Sequence, residues 1–422
     1  MNVETPKRGQ HLLDRRKRFA TGGGFFARLF APGFHHILDR IDAGLDHGTF
    51  EGKLPDGTTR ILGGRGEGPM AEVELRSWNA LLRLINSGSV GWYRAWELGE
   101  WDSPDLVPVF DLFTRNRDGL KSTGRASGLF NWVVRRRHSK RGNDKRRARQ
   151  NIQYHYDLGN DFYRLWLDEN MIYSSAIFRN EKESLEQAQR NKIAAIAERL
   201  STRAGDSVLE IGCGWGALSG SLARDHGLDV TGISLSDEQT AWAREHHPEA
   251  GYLIQDYRDV DGQYDAIASV EMVEAVGQQY WPDFLDCIAR NLKPGGRAAL
   301  QYIAIADDIF EQYASSADFI QTYIFPGGML LSESRFRALA VERGLQWADQ
   351  KNFGLDYART LKIWRERFDD AVESGDLPAG FDEKFVRLWR FYLTYCEGGF
   401  RGGGIDVGQV TLIKNNENGR AE

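Results

Sequence analysis

A short apolar run, Val208-Leu209-Glu210-Ile211, breaks straight into Gly212-Cys213-Gly214-Trp215-Gly216. Few folds place three alternating glycines directly after a strand. Glycine reaches positive φ and lets the backbone pass close to a ligand where a β-carbon would clash. Taken alone, such a turn can cradle a dinucleotide, the methionine part of S-adenosylmethionine, or nothing. The spacing G-x-G-x-x-G expected for a pyrophosphate is absent. Glu210, inside the strand and just before the turn, favours S-adenosylmethionine, because a carboxylate there can steady the loop and the ligand's ammonium.

The surrounding chain supplies the rest of an α/β fold. Apolar segments Ser207–Ile211, Asp229–Ile233, Tyr252–Gln255, Asp265–Val270 and Arg297–Ile303 alternate with helical stretches, one ending near Gly227 and another starting at Asp237. Strands separated by helices predict a Rossmann-like parallel sheet with helices on both faces. The second strand runs into Ser234-Leu235-Ser236-Asp237-Glu238-Gln239. Ser234 and Gln239 stand where a ribose would lie, although Ser236 and Gln239 also fit a capping box. After the third strand, Asp256 could accept from an adenine amine and Tyr257 could stack on the ring, with a solvated loop acid as the alternative.

At 422 residues the chain exceeds what one core usually organises. Residues 1–134 read as a smaller α+β unit, with two strands meeting at Lys53-Leu54-Pro55-Asp56-Gly57-Thr58-Thr59, a helix over Ser77–Asn86, and a Trp96–Asp105 segment. Residues 135–150 are nearly all basic or polar and read as a linker, and 151–422 form the cofactor-binding domain. The net charge of −6 argues against a nucleic-acid protein. Yet Arg15-Arg16-Lys17-Arg18, just before Phe25–Phe30, and the basic run 135–149 would suit an anionic membrane surface. Three scattered cysteines carry no metal spacing and suggest a reducing compartment. With no apolar leader or span, the chain is expected to be cytoplasmic and peripheral on the inner membrane surface.

Six motifs follow one another in order: His155–Asp161 (HYDLGND), Tyr173-Ser174-Ser175-Ala176, the EIGCGWG turn, Ser269–Gly277 (SVEMVEAVG), Tyr323–Gly328 (YIFPGG) and Phe353–Tyr357 (FGLDY). Together they resemble the cyclopropane-fatty-acyl-phospholipid synthase family, including the mycolic acid cyclopropane synthases, from Asn151 to about Leu412. The N-terminal zone resembles the family's smaller lipid-associated domain through LPDG and GEWDSPDL. The resemblance implies a class I methyltransferase fold and addition of a one-carbon unit to a cis double bond in a phospholipid acyl chain. It implies cofactor contacts at Tyr173, Ser174, Gly212, Ser234, Leu235 and Gln239, with Gly214 in the same turn. It also implies a bicarbonate base held by Glu274, Ile303 and Tyr357. Ser175 and Gln301 replace the bacterial pattern's Cys and His, and both can still donate to a carbonate. Glu271 is the competing acid, facing the cofactor or serving structure.

The chemistry explains the demand for these groups. An alkene is a weak nucleophile, so orientation carries much of the catalysis. The cation it forms must be kept from water and steadied by aromatic faces. Tyr302, Tyr313, Phe319, Tyr323 and Phe325 are candidates to line such a site, with ordinary core as the alternative. Loss of a proton from the added carbon closes a cyclopropane. If a hydride shifts first, the product is a methylene branch and a separate partner reductase would complete it. A second copy of the chain is a further expected partner. The reading from another class is a catalytically silent lipid-binding protein, supported only by Ser175, Ala275 and Gln301.

Overall fold

The computed structural model describes residues 8–13, 31–120, 158–316 and 318–416. The basic runs at 15–18 and 135–149, the Phe25–Phe30 segment and the first part of the HYDLGND motif, 155–157, lie outside them. The chain divides into two compact units, each discontinuous in sequence. The first takes residues 1–141, 311–326 and 364–405; the second takes 142–310, 327–363 and 406–422. A single cut at the basic run was expected, but segments 311–326 and 364–405 fall with the first unit.

In the first unit, strands β1 (Thr49–Lys53), β2 (Thr59–Gly63), β3 (Met70–Leu75) and β4 (Trp101–Asp102) form a sheet of order β2-β1-β3-β4. β1 and β2 are an antiparallel hairpin. Its turn closes because Asp56 Oδ1 accepts from the Thr58 amide at 3.0 Å and hydroxyl at 2.7 Å, while Gly57 takes φ 84°. The helix expected to end at Asn86 runs from Asn79 to Glu97. Gly88, at φ 55° and ψ −136°, kinks it within Ser87-Gly88-Ser89 instead of ending it. Trp101 stacks on Trp92 at 4.1 Å and donates its indole N–H to the Trp92 carbonyl, so GEWDSPD anchors a strand in the core.

Helix Glu383–Arg401 packs on this sheet's helices and brings Phe391 to Tyr93 and both Phe391 and Tyr395 to Phe319, while Tyr323 packs on Tyr93 and Phe319. Phe319 is fully buried, with ring centroids 4.8 Å from both Tyr93 and Phe391. Asp318 holds this cluster by accepting from the Ser89 hydroxyl at 3.0 Å and the Tyr395 hydroxyl at 2.7 Å. Phe319 and Tyr323, read as candidates for an apolar site, are thus packed core of this unit.

The second unit is built on a seven-stranded sheet. Its strands are β5 (Ser207–Ile211), β6 (Asp229–Ser234), β7 (Gly251–Ile254), β8 (Tyr264–Val270), β9 (Leu292–Ile305), β10 (Leu345–Asn352) and β11 (Ile405–Lys414). Their order is β10-β11-β9-β8-β5-β6-β7. β5, β6, β7, β8 and β9 pair in parallel, and β10 runs antiparallel to β11. This is the class I methyltransferase sheet. Strand order reverses between β5 and β8, which opens a crevice at their carboxyl ends, the usual ligand site of such sheets. Val208, Leu209, Ala266, Ile267 and Ala268 are fully buried, as central parallel strands require. β10 escapes sequence reading because Gln346, Gln350, Lys351 and Asn352 face solvent and break the apolar signal.

Removing the Phe319 ring should open a cavity among four aromatic side chains. Phe319→Ala is expected to cost about 3–5 kcal/mol, measurable as a lowered urea midpoint for the first unit. A loss below 1 kcal/mol, by the same scale, would mean the cluster is not close-packed.

Candidate active site

Three glycines shape the crevice. Gly212, Gly214 and Gly216 have φ of 84°, 52° and 89°, so none tolerates a side chain without strain. They differ in what a β-carbon would meet. At Gly212 it would fall 2.6 Å from Met272 Cγ, and at Gly216 2.7 Å from Ala243 Cβ. At Gly214 it would meet nothing within 4 Å. Only Gly214 therefore faces open space, and the turn fits a ligand lying across it. Helix Ala217–His226 starts directly after Gly216 and points its free amides toward the same turn.

Glu210 turns inward. Its Oε2 accepts a short hydrogen bond from the Ser219 hydroxyl on that helix. Burial pushes its carboxyl up to about 7, opposed by Ser219 and by Lys192. It braces the loop from below. Ser234 and Gln239 come together, with the Ser234 hydroxyl donating to Gln239 Oε1 at a long 3.3 Å. Ser236 Oγ accepts the Gln239 amide at 3.2 Å, so the helix cap forms. The Gln239 side chain turns to Ser234 at the end of β6. Leu235 follows at the β6 end.

Asp256 is already engaged, receiving Nε of Arg258 at 2.8 Å and Nη2 at 2.6 Å. Tyr257 is buried edge-on to Phe284 at 5.7 Å, and Arg258 lies over its ring. An adenine amine would share Asp256 with that guanidinium. Tyr173 joins Tyr163, Trp166 and Trp215 in an aromatic patch beside the glycine turn. Ser174 accepts from Lys192 Nζ at 2.8 Å.

Lys192 is a residue the sequence reading missed. Helix Leu185–Leu200 starts at a complete capping box between Ser184 and Gln187, which fixes the phase of its buried face. Gln189 and Lys192, three apart on that face, both reach Ser174. Burial pushes the Lys192 ammonium down to about 8, while Glu271, Asp168 and Glu210 hold it up. A lysine at a position otherwise continuous with Ala188, Ile193 and Ile196 was the available signal.

The bicarbonate ligands are arranged otherwise than expected. Tyr357, in the first turn of helix Gly354–Ser374, donates to Glu271 Oε2 at 2.7 Å and not to Glu274. Glu271 Oε1 accepts from the Ser175 amide at 2.9 Å and from Gln301 Nε2 at 2.7 Å. The Ser175 hydroxyl bonds the Ala176 carbonyl. The Ile303 amide donates to Glu274 Oε1, and its carbonyl accepts from Leu331. Tyr357, Ser175, Gln301 and the Ile303 backbone are thus taken, and the Glu271 carboxylate fills the place their donors enclose. The residues present do not fit a bicarbonate, because the anion would have to displace the Glu271 carboxylate from the Ser175, Gln301 and Tyr357 donors it already holds.

The two acids differ. Glu274 Oε2 is buried without a partner among the described residues. Burial, then the charge of Glu271, pushes Glu274 up to about 8. Burial also raises Glu271, opposed by Gln301, Tyr357 and the Ser175 amide. Among the described residues no group of three or more His, Cys, Asp or Glu could hold a metal, and the three cysteines are free.

The mycolic acid cyclopropane synthetase family description matches residues 143–410. The chain belongs to that family. Its members are S-adenosylmethionine-dependent methyltransferases of lipid acyl chains, and this chain is such a methyltransferase. It is 37% identical over 355 residues to tuberculostearic acid methyltransferase UfaA1 of Mycobacterium tuberculosis, covering 80% of this chain and 82% of that one. It is 34% identical over 361 residues to the Escherichia coli cyclopropane-fatty-acyl-phospholipid synthase, covering 83% and 89%. The structure of mycolic acid cyclopropane synthase CmaA1 with SAH and CTAB matches at TM-score 0.59 and 29% identity, over 63% of this chain and 98% of that one. The matched residues include strands β5 to β10 and the glycine turn.

Two outcomes follow for the site. Gly214→Val should abolish S-adenosylmethionine binding in calorimetry, because its side chain enters the open cradle, whereas Gly212 would clash first with Met272. Unchanged affinity would remove Gly214 from the site. The second concerns pH. Glu274's folded value of about 8 lies above its ordinary 4.5, so its contribution to stability is full below 4.5 and is lost as pH rises to about 8. Glu210, raised to about 7, acts in the same sense. Lys192, depressed from 10.5 to about 8, penalises the fold below about 8 and releases that penalty higher up. Glu274→Gln should therefore flatten the fall in thermal midpoint between the carboxyl range and pH 8. An identical profile in the variant would mean Glu274 is ionised throughout.

Proposed function

We propose that this enzyme adds a one-carbon unit to a cis double bond of an unsaturated phospholipid acyl chain and forms a cyclopropane. The observation that carries this is the pair of carboxylates, Glu271 and Glu274, set three residues apart at the β8 end beside the glycine turn. Methyl transfer to a nitrogen or oxygen needs little more than a positioned lone pair. Transfer to an alkene also needs a proton removed from carbon in a water-poor place, which a low-lying carboxylate can do.

S-adenosylmethionine, when bound, supplies an electrophilic methyl group. The Gly212–Gly216 turn would hold its methionine part, Ser234, Leu235 and Gln239 its ribose, and Tyr173 and Ser174 the side nearest the reacting carbon. Lys192 behind Ser174 keeps that segment in place. Tyr302 does not serve the apolar wall, because its hydroxyl is committed to Glu333 at 3.0 Å.

A second reading, a methylene branch completed by a partner reductase, is favoured by the 37% identity to a tuberculostearic acid methyltransferase. Both products lose one proton from the added carbon. No helix among the described residues is long and apolar enough to cross a membrane. Docking would fall to the basic runs at 15–18 and 135–149, each residue contributing about 1 kcal/mol near an anionic leaflet.

A host expressing the chain and fed trideuteromethyl methionine should accumulate acyl chains that carry the label one deuterium short. Upfield ring-proton resonances would identify the cyclopropane, and vinyl signals the branch. Acyl chains without label, from a host whose protein binds the cofactor, would overturn the lipid reading.

A further inference from the structure

We propose that Glu271 is the resident proton acceptor of this site, its carboxylate standing in for a bound carbonate. This rests on the acyl-alkene reading above. Three independent features support it.

The first is the cradle. An ionised carboxylate offers about four acceptor positions. Ser175 and Gln301 fill both positions on Oε1, and Tyr357 fills one on Oε2. One lone pair on Oε2 is left. The donors are themselves fixed: Gln301 Oε1 accepts from Gln409 at 3.0 Å, so its amide nitrogen is turned to Glu271. Ser175 is fully buried and Gln301 nearly so. Glu271 itself keeps part of its surface open, as an acceptor must.

The second is the backbone. Glu271 adopts φ 49°, in the left-handed region that glutamate rarely occupies. Such a conformation costs on the order of 1–3 kcal/mol and persists where the surroundings over-determine it. Its amide is tied to the Gln301 carbonyl at 2.8 Å. The strained backbone and the three donors together aim one carboxylate into the crevice.

The third is charge. Lys192 and Glu210 lie beneath the site, and Lys192's attraction favours the ionised form of Glu271. Glu274 has only the Ile303 amide on one oxygen and no partner on the other among the described residues, and burial pushes it up to about 8, so near neutral pH it carries a proton. With three donors on Glu271 against one on Glu274, the negative charge of the pair sits on Glu271.

The step balances simply. As the cationic chain carbon draws the electron pair of one C–H bond on the added carbon, the third ring bond forms. The released proton passes to the free lone pair on Glu271 Oε2, leaving a neutral ring and a neutral acid. The same acceptor serves the branched product, where that electron pair becomes the double bond.

The test uses the full-length enzyme, vesicles of unsaturated phosphatidylglycerol, and buffer stripped of carbon dioxide. The wild type should turn over at the same rate with and without bicarbonate. Glu271→Gly and Glu271→Gln should each lose about 10² to 10⁴ in rate. Glycine suits φ 49°, so the Gly variant should fold, and cofactor affinity by calorimetry should hold. It also vacates the cradle. Formate should then raise its thermal midpoint and restore its rate, and do neither for the Gln variant, whose side chain fills the space. A wild type that needs bicarbonate, or a Gly variant at full rate without additive, overturns the proposal. A wild type inert on every unsaturated phospholipid, with formate still stabilising the Gly variant, sinks the acyl-chain reading instead.

Discussion

Carboxylates placed at the inner end of a parallel sheet set the terms for the rest of this structure. Each is costly to bury unless donors or a cation surround it. Glu210 ends β5 and Glu271 follows β8, the two strands that flank the switch in strand order. Ser219 satisfies the first, while Ser175, Gln301 and Tyr357 satisfy the second. Lys192 supplies the only cation set among them, as far as the described residues go. The capping box at Ser184, the first turn of helix Gly354–Ser374 and the Gln409–Gln301 bond all read as supports for these few polar contacts.

The same network separates two acids that the sequence presents as near equals. Glu271 has three donors and favourable attraction from Lys192. Glu274 has one backbone amide and repulsion from its neighbour, so burial keeps it protonated. A buried pair that shares one charge can divide labour, one member accepting a proton while the other stays neutral. The glycine turn is built on a different principle, open space and positive φ. The open glycine turn and the carboxylate cluster are therefore separate parts of one crevice.

The first unit contributes a core of stacked tryptophans and phenylalanines tied by Asp318. Its hairpin was legible, since Pro55-Asp56-Gly57 has few other conformations available. Its membership was not, because segments 311–326 and 364–405 join it only through long-range packing. The Ser87-Gly88-Ser89 interruption likewise looked like a helix end, when packing on both sides of Gly88 carries the helix past it.

The sequence by itself determined the parallel sheet, the glycine turn and the family, because period, spacing and motif order are local and ordered along the chain. The helix cap of Ser236 and Gln239 after the second strand was also readable, from its S-x-x-Q spacing. Which acid meets Tyr357 was not. Glu271 and Glu274 lie three residues apart in one motif, and the choice between them turns on a left-handed φ at Glu271 and on where Ser175, Gln301 and Tyr357 arrive from three distant segments. Lys192 was hidden for the same reason: its partners Ser174, Glu210 and Glu271 converge only when the sheet and its helices close. Local patterns record backbone preference, but the pairing of buried charges is decided by desolvation, and that exists only once the tertiary structure has excluded water.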